Sequence, residues 1–512
     1  MRTSRGWWWL CGVLVGALGL ATSYLAAGLL RVRESPAVAV AEGVIDLTPG
    51  AVARWAIETF GTRDKQVLLI GMFVILAIVF AVLGRVARTR WWVTVIGYLL
   101  LATAAGIAVV AKPGFTAINL VPVFVGLATW LIGLAVMAEW LRRWEVVEAS
   151  EDEATDPTHS RRGFFVAAGA VGGITVLSAF LGKLAGNTRE AVERDRRLLR
   201  VDEVTKPTTP RGVKVDVDGV APWQTSADDF YLIDTAILAP SIRPKDWEIR
   251  IHGMVERELV LTYDDLVSRE ISEDWITLNC VSNEVGGDLI GNAWWSGIRL
   301  SGILEEAGMV GDADAVLQTS EDGWTCGTPL SALTDPDRSA MLAVFMNGEP
   351  LTVEHGFPVR TIVPGLYGYV SACKWVVDME VTTFDAIEAY WTGKGWSEQG
   401  PVKISSRIDV PDNGADVSVG TLVCAGAAWK QHTGVEGVEV SLDGGAWTAA
   451  TLARAPSHDT WVQWRAEIDV EEGDHELRVR ATGNDGDVQT GVERDVLPDG
   501  STGWHTIDFS AS

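Results

Sequence analysis

The chain has 512 residues, a formal net charge of −25, 48% hydrophobic residues and five cysteines. That length allows about three domains, and the acidic balance excludes nucleic acid as a partner, because a phosphate backbone is held by a surplus of Lys and Arg. The sequence has no Cys-x-x-Cys-His, and its seven histidines all lie outside the long apolar runs, so neither a covalent haem nor a histidine-ligated membrane haem is expected.

Apolar residues are concentrated before residue 186. Five apolar runs, at about 7–30, 67–84, 91–111, 117–138 and 164–184, charged only at Lys183, each approach the ~20 residues that cross a bilayer core and predict five transmembrane helices. Arg85, Arg88 and Arg90 follow the second run, and Arg142, Arg143, Arg161 and Arg162 flank the link between the fourth and fifth. These basic loops are expected inside, which puts everything after the fifth run outside the cell membrane. The runs hold almost no ionisable groups at mid-depth, so an anchor or docking platform is expected rather than an ion path. Thr48-Pro49 reads as a helix start with Thr48 as its cap, and 52–60 as a short interfacial helix.

Ahead of the fifth run stands Ser160-Arg161-Arg162-Gly163-Phe164-Phe165-Val166. It resembles a twin-arginine export signal, the route taken by folded proteins; the plainer reading is two positive-inside arginines. Residues 186–229 are polar and contain Pro207, Pro210 and Pro222, which predicts a linker or a wrapped extension.

Chemistry concentrates in residues 276–308. Thr277 and Leu278 close an apolar, β-favouring run, residues 283–287 form a glycine-rich turn, and 298–307 reads as an amphipathic helix. Cys280 is thus presented at a strand end, which fixes the sulfur while neighbouring glycines let a bulky cofactor approach the backbone. An isolated buried cysteine is more often inert, so the flanking residues decide. Short strands are expected at 247–252, 259–261, 275–279, 315–319, 340–346, 359–363 and 374–382, giving a mixed α+β domain over 230–400.

Three ordered blocks carry a resemblance. The first is Cys280, Asn283, Gly286 with Gly287, and Asn292-Ala293-Trp294-Trp295-Ser296-Gly297. The second is Met346-Asn347-Gly348-Glu349-Pro350-Leu351 followed by Glu354-His355-Gly356-Phe357-Pro358-Val359-Arg360 and Val363-Pro364-Gly365. The third is Cys373-Lys374-Trp375. Together they resemble the sulfite oxidase family over about residues 222–505. The resemblance implies a molybdenum-molybdopterin cofactor with Cys280 as metal ligand and with Tyr231, Asp234, Thr235, Asn283, His355, Arg360 and Lys374 as cofactor-binding residues. It also implies oxygen-atom transfer on a small-molecule oxo substrate. With no haem in the chain, electrons pass to or from a separate carrier, a cytochrome or quinone-linked protein. Such a cofactor is inserted in the cytoplasm, so an outer catalytic domain must cross already folded, which favours the twin-arginine exporter as a partner.

The departures from sulfite oxidases concern the substrate. Those enzymes ring an anionic substrate with arginines; here Glu284 and Val285 follow Asn283, Ile233 stands in the leading segment, and Val344 and Phe345 precede Met346. A carboxylate in place of an arginine repels a dianion by about 1 kcal/mol or more. Pro364-Gly365-Leu366-Tyr367-Gly368-Tyr369 is similar to the family's methionine sulfoxide reductase branch. Glu284 and Tyr367, with Cys280, are therefore the expected catalytic groups, Trp324 a further part of the substrate wall, and a sulfur or nitrogen oxide the expected substrate. A sulfite dehydrogenase proper, and a membrane-tethered interaction protein with a relict cofactor domain, stand as alternatives.

Residues 401–512 alternate apolar and polar and turn at Asp443-Gly444 and Asp499-Gly500. This predicts an immunoglobulin-like β-sandwich, and it resembles the family's Mo-co oxidoreductase dimerisation domain, which implies a homodimer. Cys11, Cys326, Cys373 and Cys424 read as buried thiols without disulfides. The expected architecture is a five-helix multi-pass anchor over 1–185, a linker over 186–229, a sulfite-oxidase-type domain over 230–400 and the sandwich over 401–512.

Overall fold

The computed structural model describes residues 6–512 apart from 31, 33–34, 50–51, 53–54, 57–58, 61–62, 113–114, 150–156 and 186–187. The chain forms two compact units, Met1–Ala191 with Thr235–Ala239, and Val192–Asp234 with Pro240–Ser512.

The first unit is helical: α1 (Trp7–Leu29), α2 (Pro36–Leu47), α3 (Asp64–Ala87), α4 (Trp91–Val110), α5 (Val121–Ala149) and α6 (Pro157–Ala185). Five helices, α2 not among them, are long and apolar enough to cross a membrane. Helix α1 packs against α3, α5 and α6. Its crossing with α3 is made by glycines: a Cβ on Gly12 would lie 2.9 Å from the Gly84 Cα and 2.0 Å from the Phe80 carbonyl oxygen. Such backbone approach suits an apolar medium, where helices associate by close van der Waals packing. Thr48 ends α2, which begins with Pro36 in its first turn after Ser35; the helix expected to start at Thr48-Pro49 runs into residues 50–51, outside the described ones. Part of 52–60 lies outside the described residues; the described ones are helical. Ser160-Arg161-Arg162 falls within the first turns of α6 rather than in a loop before it.

In the second unit, the polar stretch after residue 191 is built into the fold. Arg243 grips Asp195 with two hydrogen bonds, of 2.6 and 3.2 Å. The fully buried Trp223 and Trp461 each donate an indole N–H to the other's carbonyl, at 3.4 and 2.9 Å. Ten strands follow: β1 (Glu248–Gly253), β2 (Leu259–Thr262), β3 (Ser272–Asn279), β4 (Ile290–Arg299), β5 (Ala315–Ser320), β6 (Thr325–Pro329), β7 (Met341–Met346), β8 (Glu349–Pro350), β9 (Arg360–Ile362) and β10 (Val376–Thr382). One sheet runs β2-β1-β10-β5-β6, with β1 and β10 parallel; the other runs β3-β4-β7-β8, with β9 also on β7. In β1 the alternation is plain, Ile249 and Ile251 in, Glu248 and Arg250 out. All six residues of β7 are buried, as in a strand covered on both faces. Strand β4 was not foreseen, because it too is buried on both faces and shows no period of two. It runs through Ile298 and Arg299, so the expected helix begins only at Leu300.

Beyond residue 404 the chain makes two more sheets. Ser405–Val410, Gly420–Trp429, Val462–Val470 and Thr451–Leu452 form one; Ala415–Val417, His505–Ala511, Gly473–Gly483, Val435–Leu442 and Thr448–Ala449 form the other. Ile408, Cys424 and Trp464 of the first share a core with Val440, Val479 and Ile507 of the second, which sets the sheets face to face.

Candidate active site

Strand β3 is buried from Trp275 to Asn279 and delivers Cys280 into a closed loop. The Cys280 N–H donates to the Leu289 carbonyl at 2.9 Å, and the Asn283 N–H donates to the Cys280 carbonyl at 3.1 Å. The Asn283 Oδ1 accepts the Leu289 N–H at 2.8 Å. Asn283, expected at the cofactor, thus spends its side-chain oxygen on stapling the loop. The Cys280 thiol is buried. Burial pushes its pKa up, opposed by the Ser282 N–H and side chain and the Val281 N–H. Donors aimed at the sulfur favour a thiolate, the form in which Cys280 would bind a metal.

Pairing of Leu278 with Gly291 and of Asp274 with Trp295 puts Gly291 and Trp295 on one face of the sheet. Phe230 lies on that face, stacked on Tyr231 at 5.2 Å and edge-on to Trp295 (5.7 Å) and His355 (5.8 Å). The Arg360 guanidinium sits 5.3 Å from the centre of the Trp295 ring. Arg360 is buried; Nη1 donates to the His355 carbonyl at 3.2 Å, while Nε is buried with no partner. Burial brings this guanidinium down to about 10. Lys374 bridges Arg360 through the backbone, and its Nζ stands 2.8 Å from Asp234 Oδ2 and 3.2 Å from the Glu354 carbonyl. His355 Nε2 is 2.8 Å from the Ala227 carbonyl and therefore carries the proton. Burial, then Arg360 and Lys374, push its pKa down to about 4 and keep it neutral. The Tyr231 phenol is held protonated by burial and by the nearby Cys280 sulfur.

Tyr231, Asp234, His355, Arg360, Lys374 and Cys280 therefore gather on one side of the sheet. Thr235 begins the segment Thr235–Ala239, which groups with the helical unit. Tyr367 is buried, and its oxygen accepts the Lys403 N–H at 3.3 Å. Burial, Asp499 and the Cys280 sulfur push its phenol up to about 12. Glu284 is exposed and lines a cleft of about 380 Å³ together with Val285, Glu493, Arg494, Asp495 and Ser501. Trp324 lies in the turn between β5 and β6, on the other sheet from the Cys280 loop. Phe230, which the sequence reading gave no role, and Trp295, which stands in the first matched block, organise the face.

The residues fit a molybdopterin cofactor. A buried guanidinium with an unspent N–H, next to an ammonium and a neutral imidazole, suits an anionic group with hydrogen-bonding edges. Among the described residues no three His, Cys, Asp or Glu side chains could together hold a bare metal ion.

Residues 236–391 match the family described as oxidoreductase molybdopterin binding domain. The oxidoreductase YuiH of Bacillus subtilis, named as uncharacterized, is 30% identical over 181 residues, 35% of this chain and 87% of that protein. Mitochondrial sulfite oxidase of Rattus norvegicus is 28% identical over 286 residues, 47% of this chain and 52% of that one. The chain thus spans about half the length of that enzyme. The crystal structure of the sulfane dehydrogenase SoxCD from Paracoccus pantotrophus aligns with a TM-score of 0.47 at 25% identity, over 52% of this chain and 76% of that one.

Proposed function

Since this chain belongs to the sulfite oxidase family of molybdopterin-dependent oxidoreductases, we propose that it is a membrane-anchored, extracytoplasmic enzyme moving an oxygen atom to or from a small sulfur or nitrogen oxide. The cofactor supplies the two-electron oxygen-atom chemistry when bound. The observation that carries the reading is the shared face of the Cys280 loop and Arg360, whose buried Nε has no partner.

Cys280 would give the metal its protein thiolate. Arg360 and Lys374 would neutralise the cofactor's anionic end, with Asp234 fixing the Lys374 ammonium. His355, protonated on Nε2 alone, offers Nδ1 as an acceptor. The substrate side differs in charge. Tyr367 keeps its proton across the neutral range and can donate a hydrogen bond to a substrate oxygen. The cleft lined by Ser501, next in sequence to the Gly500 that packs on Tyr367, carries Glu284, Glu493 and Asp495 against Arg494. Neutral donors behind an acidic mouth favour an uncharged or cationic oxide over sulfite. The five apolar helices would hold the enzyme at the membrane and offer a dock for a cytochrome or quinone-linked carrier. The two C-terminal sheets would form an immunoglobulin-like domain able to pair two chains. The Ser160-Arg161-Arg162 motif would hand the folded domain to the twin-arginine exporter.

The test uses the full chain, made in a host that assembles the cofactor and purified in detergent. Reoxidation of the dithionite-reduced enzyme by a neutral sulfoxide or amine N-oxide, faster than the oxidised enzyme is reduced by sulfite, is the expected result. Rapid reduction by sulfite with no reoxidation by either oxide would make the protein a sulfite dehydrogenase.

A further inference from the structure

The Cys280 loop is held from outside its own domain. Arg407, on strand Ser405–Val410, is buried; its Nη1 donates to the Gly287 carbonyl at 2.8 Å and its Nε to Asp409 at 2.6 Å. Asp409 in turn accepts the Ala221 N–H at 3.1 Å, so the guanidinium is fixed at both ends. Ser501 donates its hydroxyl to the Asn283 carbonyl at 2.8 Å. The His505 ring, oriented by the Ile408 N–H on its Nδ1 at 2.9 Å, lies against Gly286, where an added Cβ would stand 2.2 Å from it. Gly286 has φ +78°, a conformation that glycine alone adopts without strain. Trp461 adds a fourth hold, donating its N–H to Thr277 Oγ1 at 2.9 Å on the strand that leads into Cys280.

Each of these groups lies more than 100 residues from the loop, and each uses a directional bond or a filled contact rather than general apolar packing. A loop that needed only to be covered would not require a forked, charge-assisted bond to one of its carbonyls. Groups behind a metal ligand set its orientation and basicity, and their loss costs roughly 10- to 100-fold in metal affinity or activity.

We infer that Arg407, Ser501 and His505 are positioning residues for the Cys280 loop, so that the C-terminal sandwich sets the geometry of the ligand thiolate and is not only an assembly domain. The inference rests on the reading of Cys280 as a metal ligand.

The test compares wild type with Arg407→Lys, the charge-neutral pair Arg407→Met with Asp409→Asn, and Ser501→Ala. All are full chains from a cofactor-competent host, with molybdenum content, the thiolate-to-molybdenum absorption band, kcat and KM measured on each. Expected is a shifted band and a kcat lowered roughly 10-fold or more in both Arg407 variants, with molybdenum retained and KM little changed. Ser501→Ala shifts the band in the same direction by less. A merely structural role lowers the melting temperature and leaves the band in place, and metal-loaded variants with a wild-type band overturn the inference. If the Arg407 variants fail to accumulate, Ser501→Ala decides: a shifted band supports positioning, an unshifted one refutes it. A wild-type chain without molybdenum fails at the earlier step and overturns the reading of Cys280 itself.

Discussion

Lys374 and Asp234, 140 residues apart in sequence, meet at 2.8 Å, with only 10% and 21% of their side chains exposed. The contact joins the segment leading into the catalytic unit to the backbone bridge with Arg360, so the two basic groups of the candidate cradle are set together. Lys374→Met removes one of them and takes away the ammonium that stands 2.8 Å from the Asp234 carboxylate. Cofactor content is expected to fall roughly 10- to 100-fold. Asp234→Asn, which keeps the ammonium, should cost less. Molybdenum per chain, measured by mass spectrometry on protein purified from the same host, checks the order; equal losses would deny Lys374 its direct role.

His355 gives a pH signature. Its folded pKa is pushed down from 6.5 to about 4, first by burial and then by Arg360 and Lys374. Between those values the unfolded chain takes up a proton that the folded one refuses, so the imidazole's contribution is full above pH 6.5 and is lost as pH falls toward about 4. The shift corresponds to roughly 3 kcal/mol. Denaturant midpoints measured across that window should fall with acidity, and His355→Gln should flatten the fall. An unchanged slope in the variant would assign the acid sensitivity to other groups.

The acidic cleft predicts a salt-dependent preference. Glu284→Gln with Glu493→Gln is expected to lower KM for sulfite roughly two- to fivefold at low ionic strength and to leave a neutral sulfoxide unaffected. The difference should vanish toward 1 M salt, where the screening length is about 3 Å. Initial rates for both substrates at two salt concentrations decide it, and a parallel change for sulfite and sulfoxide would place the carboxylates away from the substrate's path.

Arg161→Lys combined with Arg162→Lys keeps the positive charge at the start of α6 and removes the twin-arginine pair. The catalytic unit should then stay inside the cell, protected from protease added to intact spheroplasts, while the wild-type unit is digested. Digestion of both would leave the arginines with an orientation role only.

The parts of the fold legible in the sequence were those with a strong one-dimensional signal. Apolar runs of about twenty residues marked five of the six helices named in the first unit, and alternation marked β1. Helix α2 escaped because its twelve residues, rich in Ala and Val, are too short for a hydropathy window and carry their start signal, Ser35-Pro36, outside any apolar run. Strand β4 escaped because burial on both faces erases alternation. At the candidate site, Cys280, Arg360, His355 and Lys374 stand in short motifs that the sequence shows without the fold. Asn283 shows the limit: the motif marks its position, but only the folded loop shows its oxygen spent on the Leu289 N–H. Arg407, Ser501 and His505 had no local signal, because their meaning lies in contacts with a loop more than a hundred positions away.

Everything proposed for the site depends on Cys280 binding molybdenum. The most direct measurement is the molybdenum content and visible spectrum of the full chain and of Cys280→Ser, both made in a cofactor-competent host. Wild type is expected to hold about one molybdenum per chain, with a thiolate-to-molybdenum absorption band that Cys280→Ser lacks. A band of equal strength in Cys280→Ser, or a wild-type chain that stays free of molybdenum in that host, would contradict it.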